Sequence, residues 1–156
     1  MKRTLILCLS VIMVCCFVGC SDTTTFQKNG MSITLPREFQ ELNQPDFTIC
    51  YHTPEVKVLV SQETAENITL AEYAQDVRLA SAWLSPGPIE TVDGLTTMEY
   101  TYESVAAQMK LRYFSAMFQD PAGTFWLIQF CCEDDYYEQY RPLFIEWAKT
   151  VCFDTE

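Results

Sequence analysis

Histidine occurs once in this chain of 156 residues, as His52, and glycine only five times. Gly30, Gly87, Gly94 and Gly123 stand in turn-like contexts and Gly19 closes an apolar run, so none remains to build a glycine-rich loop that cradles phosphate. One histidine cannot form a paired-histidine metal motif. The chain also lacks Cys-x-x-Cys, so the closely spaced ligand pairs of a zinc site are missing. No Gly-x-Ser-x-Gly marks a nucleophile elbow, His52 has no evident carboxylate partner, and no pair of acids is singled out for glycosidase chemistry. The pattern points to a non-enzymatic protein with no catalytic residue, no metal site and no cofactor. Basic residues are scarce too, ten against 21 acidic ones, and a surface of that sign repels phosphate backbones. A nucleic-acid partner is not expected.

What is present begins at the N-terminus. Lys2 and Arg3 precede an apolar run from Leu5 to Val18, which stops at Gly19-Cys20 before the polar stretch Ser21 to Thr25. A charged segment, a short apolar segment and a small-residue site make an export signal, and the run is shorter than the roughly 18 residues of a spanning helix. Phe17-Val18-Gly19-Cys20 resembles the lipobox of bacterial lipoproteins, in which the cysteine is diacylated and becomes residue one after cleavage. That resemblance implies a signal peptide over 1–19, a lipidated Cys20 with a short tether over 20–25, and a single domain over 26–156. Two acyl chains suffice for stable attachment, placing the protein on the extracytoplasmic face of the cell membrane. The signal carries two of the ten basic residues and no acidic one, so the 137 residues from Cys20 onward carry a net formal charge of −13. Contact with the membrane is then expected through the lipid alone.

Cys8, Cys15 and Cys16 leave with the signal, so four thiols remain beside Cys20: Cys50, Cys131, Cys132 and Cys152. Outside the cytoplasm a disulfide is allowed, and four cysteines permit three full pairings. Adjacent Cys131 and Cys132 point to opposite faces of a strand, which disfavours a bridge between them. The alternatives are one bridge from Cys50 to Cys131, Cys132 or Cys152, or buried free thiols acting as small hydrophobes.

Along the domain, period-two runs dominate. Asn29-Gly30 between Phe26–Lys28 and Met31–Leu35 is a strong hairpin signal, as is Asp93-Gly94 between Ile89–Val92 and Leu95–Tyr102. Residues 37–46 read as a loop with Phe39 as a core plug. Phe47–His52 and Glu55–Ser61 read as a second strand pair. Thr69-Leu70-Ala71-Glu72 is a capping box, and Leu70, Tyr73, Ala74, Val77, Ala80 and Leu84 follow with helical spacing, which predicts a helix over about 70–84. In the third hairpin Met98, Tyr100 and Tyr102 are expected to face the core and Thr97, Glu99 and Thr101 to face out. Met109–Phe118 and Thr124–Cys132 form the longest hairpin, expected at the sheet centre. Its second strand is apolar on both faces and is therefore expected to be covered on both. Glu133-Asp134-Asp135 opens a last helix carrying Tyr136, Tyr140, Phe144, Trp147 and Val151, with Pro142 inside it, and Cys152-Phe153 reads as a closing edge strand.

The Asn29–Pro36 motif with Phe39, the helix bearing Leu70 and Tyr73, the Trp126–Phe130 strand and the Phe144/Trp147/Val151 helix together resemble small Gram-positive lipoproteins of the PsbP-like (Mog-type) superfamily. The resemblance implies an α+β fold, a central antiparallel β-sheet flanked by helices on both faces. It transfers no functional residue. The leading expectation is a lipid-anchored binding or assembly module for an unknown protein partner. The alternative is a small-ligand or solute-binding lipoprotein with an aromatic pocket lined by some of Tyr100, Tyr102, Tyr113 and Trp126.

Overall fold

The computed structural model describes residues 22–154. The expected signal peptide and Cys20 therefore lie outside the described residues. No helix among those described is long and apolar enough to cross a membrane.

Among the described residues ten strands and two helices follow one another as β1 (Thr23–Lys28), β2 (Met31–Pro36), β3 (Gln40–Glu41), β4 (Ile49–His52), β5 (Lys57–Thr64), α1 (Leu70–Ala80), β6 (Glu90–Val92), β7 (Leu95–Ser104), β8 (Met109–Gln119), β9 (Thr124–Glu133), α2 (Tyr137–Ala148) and β10 (Cys152–Phe153). Seven strands form one sheet in the order β3-β4-β5-β9-β8-β7-β6, and β1-β2-β10 form a smaller one. Every pairing is antiparallel. The β8–β9 hairpin holds the middle of the larger sheet, where the long apolar runs place it.

Local chemistry accounts for the turns. Asn29 and Gly30 take φ values of 55° and 81°, and Asp93 and Gly94 take 50° and 85°, the paired left-handed conformations of a type I′ hairpin. In α1 the Thr69 side chain accepts from the Glu72 amide while the Glu72 carboxylate accepts from the Thr69 amide, completing the capping box. The helix stops four residues earlier than the periodicity suggests. Ser81 caps it, Ala82–Leu84 form a 3-10 turn, and Ser85 turns left-handed at φ 50°.

Side chains of β8 and β9 alternate between two clusters. Phe114, Ala116, Trp126, Ile128, Phe130 and Cys132 pack with Tyr137, Phe144, Ile145 and Ala148 of α2 and with Met31, Ile33 and Leu35 of β2. Met117 and Phe125 pack with Tyr73 and Ala74 of α1 and with Met98 and Tyr100 of β7. Phe39 is buried in the first cluster, as a plug should be, with its ring edge-on to Trp147 at 5.4 Å.

Three expectations are corrected. Thr97 and Glu99 do not face solvent freely. Thr97 is buried and donates to the Glu90 carbonyl at 3.2 Å, while Glu99 accepts from Arg141 of α2 at 2.7 Å and pairs with Arg112 at 3.4 Å. A polar residue can turn inward where such partners meet it. On α2 the inward tyrosine is Tyr137, with Arg112 lying 4.2 Å over its ring, and Tyr136 is exposed. Asp134–Tyr136 form a 3-10 turn ahead of α2, while Tyr140, Phe144, Trp147 and Val151 pack on the first cluster as their spacing predicts.

Candidate functional site: an aromatic hollow on β7 and β8

Period two puts Tyr100 and Tyr102 on one side of β7, and the antiparallel register sets Tyr113 of β8 directly opposite Tyr100. The Tyr100 and Tyr113 rings stack, with centroids 4.7 Å apart and planes at 11°. Trp83, on the turn after α1, meets Tyr102 edge-on at 6.3 Å. These rings, with Phe47, Leu59, Leu84 and Gln129, line a hollow of about 250 Å³. The Trp83 side chain stands 73% exposed at its rim, and Leu79, one helical turn earlier, is 68% exposed. A tryptophan normally gives up most of its surface on folding, and this one keeps it.

The hollow is electrically quiet. Gln129 donates its amide to the Tyr100 hydroxyl, giving the floor a fixed polar group. Burial pushes the Tyr100 and Tyr113 hydroxyls well above the usual phenol range, so both stay neutral and can donate at physiological pH. A larger cavity of about 550 Å³ adjoins it, sharing Leu84 and Tyr100 and reaching Glu90, Glu99 and Arg112. Such a surface offers stacking, apolar contact and one or two neutral hydrogen bonds.

Three of the four aromatics expected to line a pocket thus come together, and one does not. Trp126 lies on the alternate side of β9, fully buried in the α2 cluster, where its indole donates to Asp120 at 3.0 Å. One residue of strand register separates the two environments. Sequence reading missed Trp83, Phe47 and Gln129. The signal for Trp83 was a tryptophan at the end of an amphipathic helix, just before Ser85-Pro86-Gly87-Pro88, where the chain has to leave the helix.

The four cysteines are free. Cys50 on β4 and Cys131 on β9 are separated by β5, two interstrand spacings or roughly 9.5 Å, beyond the Cα reach of a disulfide. Cys132 points into the α2 cluster, and Cys152 is exposed on β10. The bridge from Cys50 is therefore absent from this structure, and the buried-thiol alternative describes Cys50, Cys131 and Cys132. Burial pushes the thiols of Cys131 and Cys132 up to about 11. His52 lies at the end of β4, opposite Lys57 and Gln40.

No family profile and no curated protein matches the sequence. Solved structures do. The chain is similar to the cyanobacterial PsbP protein CyanoP from Synechocystis sp. PCC 6803, at a TM-score of 0.59 and 11% identity over 92% of this chain and 99% of that one. It is also similar to LpqN of Mycobacterium tuberculosis, described as involved in cell envelope biogenesis, at a TM-score of 0.51 and 13% identity over 86% and 91% of the two chains. At such identities the likeness is one of fold. The chain has a PsbP-like fold, a mainly antiparallel sheet with two helices.

Proposed function

We propose that this protein is a lipid-anchored, non-enzymatic binding or assembly module on the extracytoplasmic face of the cell membrane. Diacylated Cys20 would hold it there, as in the Gram-positive lipoproteins of Mog-type kind, and the tyrosine hollow would be its contact surface for a protein partner. The finer architecture belongs to the same proposal: α1 and α2 cover opposite faces of the seven-stranded sheet, in keeping with the two clusters into which β8 and β9 divide their side chains.

The observation that carries this reading is the exposed Trp83 beside a small neutral hollow. Interface energy concentrates in a few aromatic anchors that meet a pocket of about one side chain's size, and tryptophan leads that group. LpqN, of similar fold, is described as acting in cell envelope biogenesis, which agrees with an envelope role here. The second reading, a small-ligand site, rests on the hollow's stacked Tyr100–Tyr113 pair. The exposed Trp83 at its rim favours a partner surface over a free ligand.

Two measurements test the proposal. Intact mass of the membrane-extracted protein should equal residues 20–156 plus a diacylglycerol, and a mass retaining residues 1–19 would remove the anchor. Crosslinking in native membranes followed by pull-down should yield one reproducible partner that Trp83→Ala loses. A partner recovered equally by wild type and variant would take the contact surface away from the hollow, and saturable binding of a small solute without any partner would favour the second reading.

A further inference from the structure

A second hollow of about 250 Å³ opens where the segment after β2 runs past α2, lined by Glu38, Phe39, Glu55, Tyr140, Leu143 and Trp147. Its floor is apolar. Phe39 is buried against Trp147, Tyr140 stacks on Phe144 at 6.0 Å with planes at 13°, and Leu143 is exposed at the mouth. Two exposed carboxylates, Glu38 and Glu55, stand on the rim. Among the described residues neither makes an ion pair, as is true of most of the acidic side chains described. Glu55 is also held in place: its amide donates to the Thr53 hydroxyl oxygen at 3.3 Å, and that hydroxyl lies 3.3 Å from its carboxylate as donor. The Tyr140 hydroxyl is pushed above the phenol range by burial first and then by Glu55, Cys132 and Glu38, so both negative charges bear on the hollow.

The hollow also has a fixed place relative to the start of the domain. Pro36, on its wall, is opposite Thr23 in the β1–β2 register, and the Arg37 amide donates to the Asp22 carbonyl at 2.9 Å. Cys20 stands three residues before Thr23, a reach of at most roughly 11 Å of chain. On the anchored reading above, on which this inference rests, the hollow lies close to the headgroup layer.

We propose that this hollow docks the juxtamembrane segment of a membrane-protein partner, seating one arginine or lysine between Glu38 and Glu55 and its apolar neighbours on Phe39, Leu143 and Trp147. A guanidinium suits the place. It can donate to a carboxylate while its plane lies against an aromatic ring. A surface ion pair alone contributes little, so the apolar neighbours must supply much of the affinity. A negatively charged segment would be excluded by the same carboxylates.

The test uses the full-length protein in detergent micelles and two synthetic peptides, acetyl-Ser-Leu-Arg-Leu-Ser-amide and its glutamate counterpart. Indole N–H signals of Trp147 and Trp83 are followed by NMR. The arginine peptide should shift Trp147 saturably and leave Trp83 in place. The glutamate peptide should shift neither. In the double variant E38Q/E55Q, whose exposed positions leave the fold intact by circular dichroism, affinity for the arginine peptide should fall about tenfold, and added salt should weaken wild type toward the variant. No saturable shift at Trp147, equal affinity in the double variant, or a shift centred on Trp83 would each overturn the proposal. If the peptide binds as expected while intact mass shows no lipid, the docking site stands and the membrane origin of its partner falls.

Discussion

Tyr100 and Tyr113 stand opposite each other on adjacent strands and stack at 4.7 Å, while Trp126, on the next strand, lies on the other side of the sheet. The two kinds of aromatic should respond differently to truncation. Trp126→Ala empties a fully buried site and should cost about 3–5 kcal/mol. Trp83→Ala removes an exposed ring and should change stability by less than about 0.5 kcal/mol while abolishing partner capture. Urea unfolding of both variants, set beside the pull-down, separates the core from the contact surface.

Beside its two backbone hydrogen bonds, the turn between β8 and β9 is tied by one carboxylate. Asp120 accepts from the Trp126 indole at 3.0 Å and from the Thr124 amide at 2.9 Å. Asp120→Ala leaves a buried indole N–H without a partner and should destabilise the protein by about 1–3 kcal/mol. Asp120→Asn keeps one acceptor oxygen and should cost less. Thermal unfolding of the pair, with Trp126 fluorescence as the local reporter, checks both values.

Helix α1 begins at a capping box whose loss has a pH signature. Thr69→Ala should cost about 1 kcal/mol at neutral pH, and Thr69→Ser nearly nothing. The hydrogen bonds from the Thr69 amide and hydroxyl hold the Glu72 carboxyl below its ordinary value of 4.5. A carboxyl with a depressed folded-state value contributes stability that is complete above its unfolded value and is lost as pH falls through the folded one. The difference in Tm between wild type and Glu72→Gln should therefore shrink as pH drops below about 4.5, and a difference constant into acid would contradict the box.

The thiols make a counting prediction. Cys152 is exposed, while Cys50, Cys131 and Cys132 are buried, the latter two with thiols at about 11. At pH 7.5 the native protein should take up one alkyl group rapidly, and the denatured protein four, with an acylated Cys20 taking none. Two groups after denaturation without reductant would mean that a disulfide forms in the living cell.

Much of this molecule is legible in its sequence. Asn29-Gly30 and Asp93-Gly94 demand positive φ at both central positions, Thr69 and Glu72 sit at capping-box spacing, and the Trp126–Phe130 run is apolar on both sides, so hairpins, helix start and sheet centre follow from local physics. The −13 charge from Cys20 onward and the lipobox-like Gly19-Cys20 likewise belong to the sequence alone. Tertiary structure decided what local rules leave free. Period two says that Tyr102 and Trp126 each face one side of a strand, but only the register between strands says which side, and it sets them apart. The chain leaves α1 through the 3-10 turn Ala82–Leu84 with Trp83 exposed and enters α2 through Asp134–Tyr136 with Tyr137 buried, placements that packing on the sheet decides. The two hollows exist only because segments far apart in the chain meet there, Phe47 and Trp83 at one, Glu38 and Trp147 at the other, and no spacing in the sequence encodes such meetings.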